Sequence, residues 1–124
     1  MLWDLEKDKE ITSIPHKKDY DLWMSRLTPS EIQDIKEEFL RMIEGLDIVT
    51  SGWIPGPDWT NTPLQLIHDK ACITNWDSAR KCYGIMVWEI MMEHDDVWGF
   101  GKYTLDDKKI GSMTYFRLKC NSQF

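Results

Sequence analysis

Apolar side chains recur at helical spacing in two long segments of the chain, residues 29–44 and 75–94. In the first segment Ile35, Phe39 and Ile43 fall on one face of a helix, because intervals of three and four residues bring side chains to the same side. Charged residues occupy the opposite side. The pattern predicts an amphipathic helix whose apolar stripe packs against a core.

Local signals mark the ends of this first helix. Thr28 is a suitable N-cap, Pro29 fits the first helical position, and Glu31 completes a capping box with Thr28. Gly45 then provides the residue type that most often stops a helix. We therefore predict a helix over residues 29–44.

The second segment, residues 75–94, carries apolar residues on more than one face. One face holds the following residues: Ala79, Cys82, Tyr83, Met86, Val87, Ile90 and Met91. Ile85, Trp88 and Met92 lie on another, so the middle of this helix should be buried on two sides. Gly84 costs about 1 kcal/mol of helix propensity, which predicts that another element packs closely over it.

Three shorter elements are predicted around these helices. The spacing of Tyr20 and Trp23 indicates a short helix after residue 19, and "LDIVT" at residues 46–50 indicates a strand. Thr62 followed by Pro63 has the form of an N-cap and first turn. This pair predicts a short helix in "PLQLIHDKAC".

The end of the chain alternates apolar and polar residues in two runs, "VWGFGKYTL" and "IGSMTYFRLKC", joined by "DDKK". Alternation predicts strands, and the short polar connection predicts a hairpin. Phe116 and Leu118 should share one face of the second strand, with Tyr115 and Arg117 on the other.

Together these elements predict an α+β fold: a small antiparallel sheet, including the C-terminal β-hairpin, packed against the two long helices, with short accessory helices. A length of 124 residues fits one domain, and we assign residues 19–124 to a single globular domain. Residues 1–18 mix charges with scattered apolar side chains. We expect them to form a loosely ordered N-terminal arm that docks through those side chains.

The composition narrows the classes of partner. The formal net charge of −6 disfavours nucleic acid, because nucleic-acid affinity depends on neutralising phosphates with Lys and Arg. No apolar run approaches the roughly 20 residues of a membrane helix, and the first residues lack the pattern of a secretory signal. We therefore expect no membrane partner and a cytoplasmic location. Three cysteines without paired spacing favour reduced thiols over disulfides.

Candidate chemistry is sparse. His68 and Cys72 are four residues apart on a predicted helix, where both could face one metal ion, and Cys82 and His94 follow further along the chain. The spacing is incomplete, because no known metal-binding motif is present. The acidic run from Glu93 to Asp96 could supply a general acid or a divalent-ion ligand, although a solvated connection explains it better. No nucleophile or phosphate-loop motif is present. The sequence predicts no metal, no cofactor and no catalytic residue.

The segment "SGWIPGPDWTNTP" is the strongest candidate for a binding surface. Its two tryptophans have no periodic reason to be buried, and tryptophan concentrates at interfaces because it offers a large rigid apolar area with one polar handle. The prolines and glycines should stiffen this loop, which lowers the entropic cost of binding. We predict a binding site of five residues: Trp53, Asp58, Trp59, Thr60 and Asn61. The alternative left open is that both indoles fold back over the core.

Two functions from different classes fit these features. The first is a small acidic, non-enzymatic binding protein that engages a protein partner through the Trp-bearing loop, in the manner of a phage-type inhibitor of a host defence protein or of an immunity-type protein. The alternative is a binder or sequestering protein for a nucleotide-like small molecule, with Trp53 or Trp59 stacking on its ring. A third choice is an enzyme acting on such a ligand with His68, His94 or Asp58. Monomer and homodimer remain equally open.

Overall fold

The computed structural model describes residues 1–50, 58–101, 104–105, 108–109 and 114–119. Within these ranges the helical elements are α1 (Lys17–Met24), α2 (Pro29–Ile43), a π-helical turn (Ile67–Ala71) and α3 (Trp76–Glu93). The strands are β1 (Leu2–Asp4), β2 (Lys9–Ile11), β3 (Ile48–Thr50), β4 (Val97–Gly101), β5 (Thr104–Leu105), β6 (Lys108–Lys109) and β7 (Thr114–Lys119). The predicted α+β class is confirmed. No helix in the described part of the chain is long and apolar enough to cross a membrane.

Helix α2 begins and ends as its local sequence predicts. The hydroxyl of Thr28 accepts a hydrogen bond from the backbone N–H of Glu31 at 3.1 Å, and the Glu31 carboxylate accepts one from the backbone N–H of Thr28 at 2.9 Å. Two of the N–H groups at the start of the helix thereby find partners, which stabilises the N-terminus. Gly45 follows the helix with a φ of 80°, a conformation that glycine adopts without strain.

Helix α3 is buried on its first predicted apolar face, whereas on the second face Ile85 is buried and Trp88 and Met92 are half-buried. Its cap is Asn75, whose side-chain oxygen accepts from the backbone N–H of Ser78 at 3.0 Å. The buried residues of the helix are Ala79, Cys82, Tyr83, Ile85, Met86, Val87, Ile90 and Met91. These residues belong to one core cluster with side chains of α2 and of the sheet.

The main sheet has the strand order β2-β1-β4-β7-β3. Strands β4 and β7 pair antiparallel, as the C-terminal hairpin prediction requires, and β5 pairs antiparallel with β6 between them. The sheet is mixed rather than wholly antiparallel, because β1 pairs parallel with β4. Tyr115 is fully buried and Leu118 is exposed, as opposite faces of β7 allow, whereas Thr114, on the same face as Leu118, is also buried.

The N-terminal residues differ from the loosely ordered arm expected over residues 1–18. Strands β1 and β2 form an antiparallel hairpin, and β1 joins the sheet beside β4. Leu2 is 0% exposed, and the backbone N–H of Leu5 donates to the carbonyl of Phe100 at 3.0 Å. The apolar residues of this segment therefore complete the core face of the sheet, and the ladder to β4 holds the backbone in place.

The connection between β3 and α3 departs from its prediction at Thr62. The Thr62 hydroxyl donates to the carbonyl of Trp59 at 2.8 Å, so it closes a turn instead of capping a helix. In the residues that follow, backbone N–H groups donate to the carbonyls three residues earlier. The chain then forms the wider π-helical turn, where the N–H of Cys72 donates to the carbonyl of Ile67 at 2.9 Å. The short helix exists, but it begins later and has a different hydrogen-bond pattern.

Gly84 also differs from its prediction. A methyl group added at this position would meet no atom within 4 Å, so no element packs closely over the glycine. The space above it belongs to an open groove between α1 and α3.

A largely buried ion pair joins the ends of three elements. Arg117 in β7 donates to the carboxylate of Asp96, just before β4, and its side chain is 14% exposed against 8% for that of Asp96. The same guanidinium donates through Nη2 to the carbonyl of Leu46 at 3.0 Å and lies 4.4 Å from the centroid of the Trp98 ring. The contact therefore connects the segment after α2, the segment after α3 and the last strand.

We predict that Asp96→Ala lowers the free energy of unfolding by about 3 kcal/mol, because Arg117 loses its buried carboxylate partner and keeps the exposed Asp47, whose Oδ1 lies 3.4 Å from Nε. Urea unfolding followed by circular dichroism measures the change. The matched control is Asp95→Ala, which removes a neighbouring exposed carboxylate and should cost about 0.5 kcal/mol or less. Equal losses for the two variants would contradict this account of the ion pair.

Candidate functional site

The predicted binding loop is described from Asp58 onward, and Trp53 lies outside the described residues. Trp59 is buried, with 4% of its surface exposed. Its ring meets Trp76 at a centroid distance of 5.4 Å and Tyr83 at 5.3 Å, both edge to face. For Trp59 the structure therefore shows the folded-back alternative, and the indole presents almost no surface to a partner.

The polar residues of the loop form a tight exposed turn. The Asp58 carboxylate accepts from the backbone N–H of Thr60 at 2.9 Å, and Asn61 has a φ of 62°, which asparagine tolerates better than most residues. Hydrogen bonds from the hydroxyl and the backbone N–H of Thr60 lower the pKa of Asp58. Asp58, Thr60 and Asn61 are exposed, so a partner can reach all three.

An exposed surface that the sequence did not reveal lies beside this turn. We call it the Trp76 surface and define it by Ile73, Trp76 and Arg80. Ile73 is 63% exposed and Trp76 is 37% exposed, while the guanidinium carbon of Arg80 lies 5.5 Å from the centroid of the Trp76 ring. Trp76 is joined to the predicted loop through its ring contact with Trp59.

Two neighbours hold the Trp76 ring in position. The imidazole of His68 stacks on it at a centroid distance of 4.0 Å and an interplanar angle of 25°, and Trp59 supports it from the core. His68 is itself fixed, because its Nδ1 lies 2.7 Å from the carboxylate of Asp69. The indole is therefore a preorganised surface group rather than a freely rotating one.

The turn before α3 is strained. Ile73 and Thr74 have φ values of 49° and 59°, and both are β-branched, a residue type for which positive φ is a genuine outlier. The backbone N–H of Thr74 donates to the carbonyl of His68 at 2.8 Å, and that of Asn75 donates to Cys72 at 3.2 Å. These bonds hold the turn in a conformation that costs on the order of 1–3 kcal/mol for each strained residue.

The residues considered as metal ligands or nucleophiles lie in surroundings that are typical of structural residues. Among the described residues, no group of three His, Cys, Asp or Glu side chains stands close enough to hold a metal ion. Cys72 and Cys82 are buried, and burial raises the pKa of both thiols. Protonated thiols are poor nucleophiles and poor metal ligands.

His94 is fixed at the end of α3. Its Nδ1 accepts from the backbone N–H of Asp96 at 2.9 Å, and its ring meets that of Trp98 edge to face at 5.8 Å. Burial, followed by the positive charge of Arg117, lowers the pKa of His94 from its ordinary value of 6.5. The neutral ring therefore fits this place, because protonation of Nδ1 would remove the acceptor that the Asp96 N–H uses.

Comparison with known proteins found no matching family model, no matching curated protein and no matching solved structure.

Sequence reasoning missed the Trp76 surface for a physical reason. β-branched residues rarely adopt a left-handed backbone conformation. The residue types at this turn therefore predict a different conformation from the one that the structure has. One signal was present: Trp76 and Arg80 are four residues apart at the start of a predicted helix, so both lie on the same side.

We predict that stability falls as the pH drops below about 6.5, with His94 as a contributor. The folded pKa of His94 is lowered, so the unfolded chain takes up a proton first and acidification favours unfolding. His94→Gln should reduce this fall, measured as the free energy of unfolding at pH 7.5 and at pH 5. If His94→Gln follows the wild-type curve, His94 is not a contributor.

Proposed function

We propose that this chain is a small acidic binding protein that engages a protein partner through the Trp76 surface and the adjoining exposed turn of Asp58, Thr60 and Asn61. This keeps the partner class expected from the sequence and moves the centre of contact from Trp59 to Trp76. The mode of action that fits is obstruction of the partner, as an inhibitor or an immunity-type protein acts.

The strained turn at Ile73 and Thr74 is the observation that carries the proposal. Asparagine or glycine would adopt the same backbone conformation at lower cost, and yet an isoleucine stands here with 63% of its surface in solvent. Strain of this kind clusters at functional sites, where the surrounding structure maintains it. An exposed apolar side chain held in an unfavourable backbone conformation supports a role in contact with another molecule.

The residue types of the surface support a protein partner. Tryptophan and arginine are the residues most enriched among those that dominate binding energy at interfaces, and they act best when held rigid. Trp76 is held by His68 and Trp59. Arg80 keeps its guanidinium near the indole, where it is ready for a second interaction.

The charges define what the partner should offer. Within the described part of the chain, no carboxylate forms an ion pair with Arg80. A partner that places a carboxylate against Arg80 and an apolar depression against Ile73 would complement both groups. We therefore expect a complementary patch with an acidic residue beside apolar side chains.

We predict that Ile73→Asn and Thr74→Asn each raise the free energy of unfolding, by about 1 kcal/mol, because asparagine tolerates the left-handed conformation. Chemical unfolding of the two variants and the wild type tests this. Unchanged or lower stability in both variants would show that the turn stores no strain.

The same two variants separate binding from stability. Ile73→Asn should weaken partner binding at least about tenfold, because it removes the exposed apolar side chain, whereas Thr74→Asn should retain binding. Tagged wild type and both variants are used to capture proteins from cells of the source organism, and each candidate is then purified and its Kd measured against all three chains. Arg80→Glu should also lose binding, through repulsion of the expected carboxylate.

A partner that binds Ile73→Asn, Arg80→Glu and the wild type equally well would refute the proposed surface. Because Ile73→Asn is expected to be more stable than the wild type, a loss of binding in this variant could not be attributed to unfolding.

A further inference from the structure

A groove of about 550 Å³ lies between α1 and α3. It shares no residue with the Trp76 surface, and all of its lining residues are in the described part of the chain. Its volume falls within the range of roughly 300–1,000 Å³ that small-molecule sites occupy. The groove therefore has to be considered as a site in its own right.

Gly84 forms the open part of the groove on α3. A glycine in the middle of a helix costs about 1 kcal/mol relative to alanine. A side chain would fit at this position, because an added methyl group would meet no atom within 4 Å. Packing therefore does not explain why residue 84 is a glycine. The missing side chain leaves open space above the helix.

One tryptophan from each helix lines the groove: Trp23 on α1 and Trp88 on α3. The ring of Trp88 is fixed, because its Nε1–H donates to the carbonyl of Ser13 at 3.2 Å and its ring lies 4.9 Å from that of Phe100. Both indoles are half-buried. Aromatic side chains exposed in this way stack on planar rings, at about 1–3 kcal/mol for each nucleobase.

Opposite charges lie on the two sides of the groove. Asp19 on α1 and Lys81 on α3 both line it and are exposed. Neither side chain forms a hydrogen bond or ion pair with another described residue. A carboxylate can accept the N–H groups of a heterocycle, and an ammonium group can hold an anion.

His16 adds a third polar group from the start of α1. It has a φ of 51° and its side chain makes no capping bond, so the imidazole stays available to the groove. From Lys81 to Trp88 the groove follows α3 for about 10 Å. This length suits a ligand with one ring system and one attached anionic group. It is short for a bound helical peptide whose apolar side chains extend over three or more turns.

We propose that the groove binds a planar nitrogen heterocycle that carries an anionic group, which is the chemistry of a nucleoside monophosphate. The ring lies over Gly84 against Trp23 and Trp88, its N–H groups face Asp19, and the anionic group is held by Lys81. The sequence had suggested stacking on Trp53 or Trp59, whereas this site uses other tryptophans. It does not depend on the proposed protein partner.

The test uses the full chain and four probes: adenosine and guanosine monophosphate, adenosine without phosphate, and inorganic phosphate. Binding is followed by NMR shifts of the indole N–H signals of Trp23 and Trp88. We expect saturable shifts with at least one monophosphate, weaker binding of adenosine, and no indole shift with inorganic phosphate.

Variants show whether the shifts come from the groove. Gly84→Leu should raise the melting temperature and weaken binding at least about tenfold, because leucine favours the helix and fills the open space. Lys81→Ala should weaken monophosphate binding about tenfold and leave adenosine binding unchanged, since it removes the cation that holds the anionic group. Lys9→Ala, on the edge strand β2, makes the same change of charge away from the groove and should bind as the wild type does.

Three outcomes would overturn the proposal. The first is no indole shift with either monophosphate at millimolar concentration. The second is equal binding by Gly84→Leu and the wild type. The third is that these indole signals respond only to a protein partner, which would make the groove a part of the protein interface.

Discussion

The ion pair between Arg117 and Asp96 determines how the sheet and the helices fit together. Because both side chains are largely buried, each needs the other to offset the loss of water around its charge. Arg117 also donates to the carbonyl of Leu46. One guanidinium therefore holds the segment that follows α2, the segment that follows α3 and the last strand, while its flat face lies over Trp98.

The N-terminal strand lies close to this contact in the sheet. In the ladder, Leu2 lies beside Trp98, and Trp98 lies beside Arg117. Leu2 and Trp98 are fully buried, and the Trp98 ring contacts both the His94 ring and the Arg117 guanidinium. The burial of Leu2 adds apolar area to the core, at about 25 cal/mol for each Å² buried.

The elements that the sequence predicted well are those with local causes. The capping box at Thr28 and the cap at Asn75 act over three residues, and helical periodicity acts over a few turns, so both long helices could be predicted before any tertiary contact was known. The hairpin strands β4 and β7 are long enough for alternation to be visible.

Features that depend on distant contacts could not be predicted in the same way. Strands β1 and β2 are three residues long, too short for a periodic signal, and β1 gains its parallel partner from the far end of the chain. In the candidate site, the exposed turn around Asp58 was predictable from its residue types. The burial of Trp59 was not, because it depends on Tyr83 and Trp76, which lie on the later helix.

Helix α3 departs from maximal stability at two places, and both face solvent. At its N-terminal end, a left-handed turn is built from isoleucine and threonine, where asparagine or glycine would relieve strain. In its middle, Gly84 stands where alanine would fit without a clash and would favour the helix. The helix start is capped by Asn75, and the core-facing residues are buried.

Both departures lie within α3 or directly before it. Trp76 and Trp88 are separated by about 18 Å of helix, and Arg80 and Gly84 stand one turn apart between them. Each of the two departures is locally correctable by a single substitution, so folding alone does not require it. The strained turn and the groove over Gly84 are therefore the two places where we propose that this protein contacts other molecules.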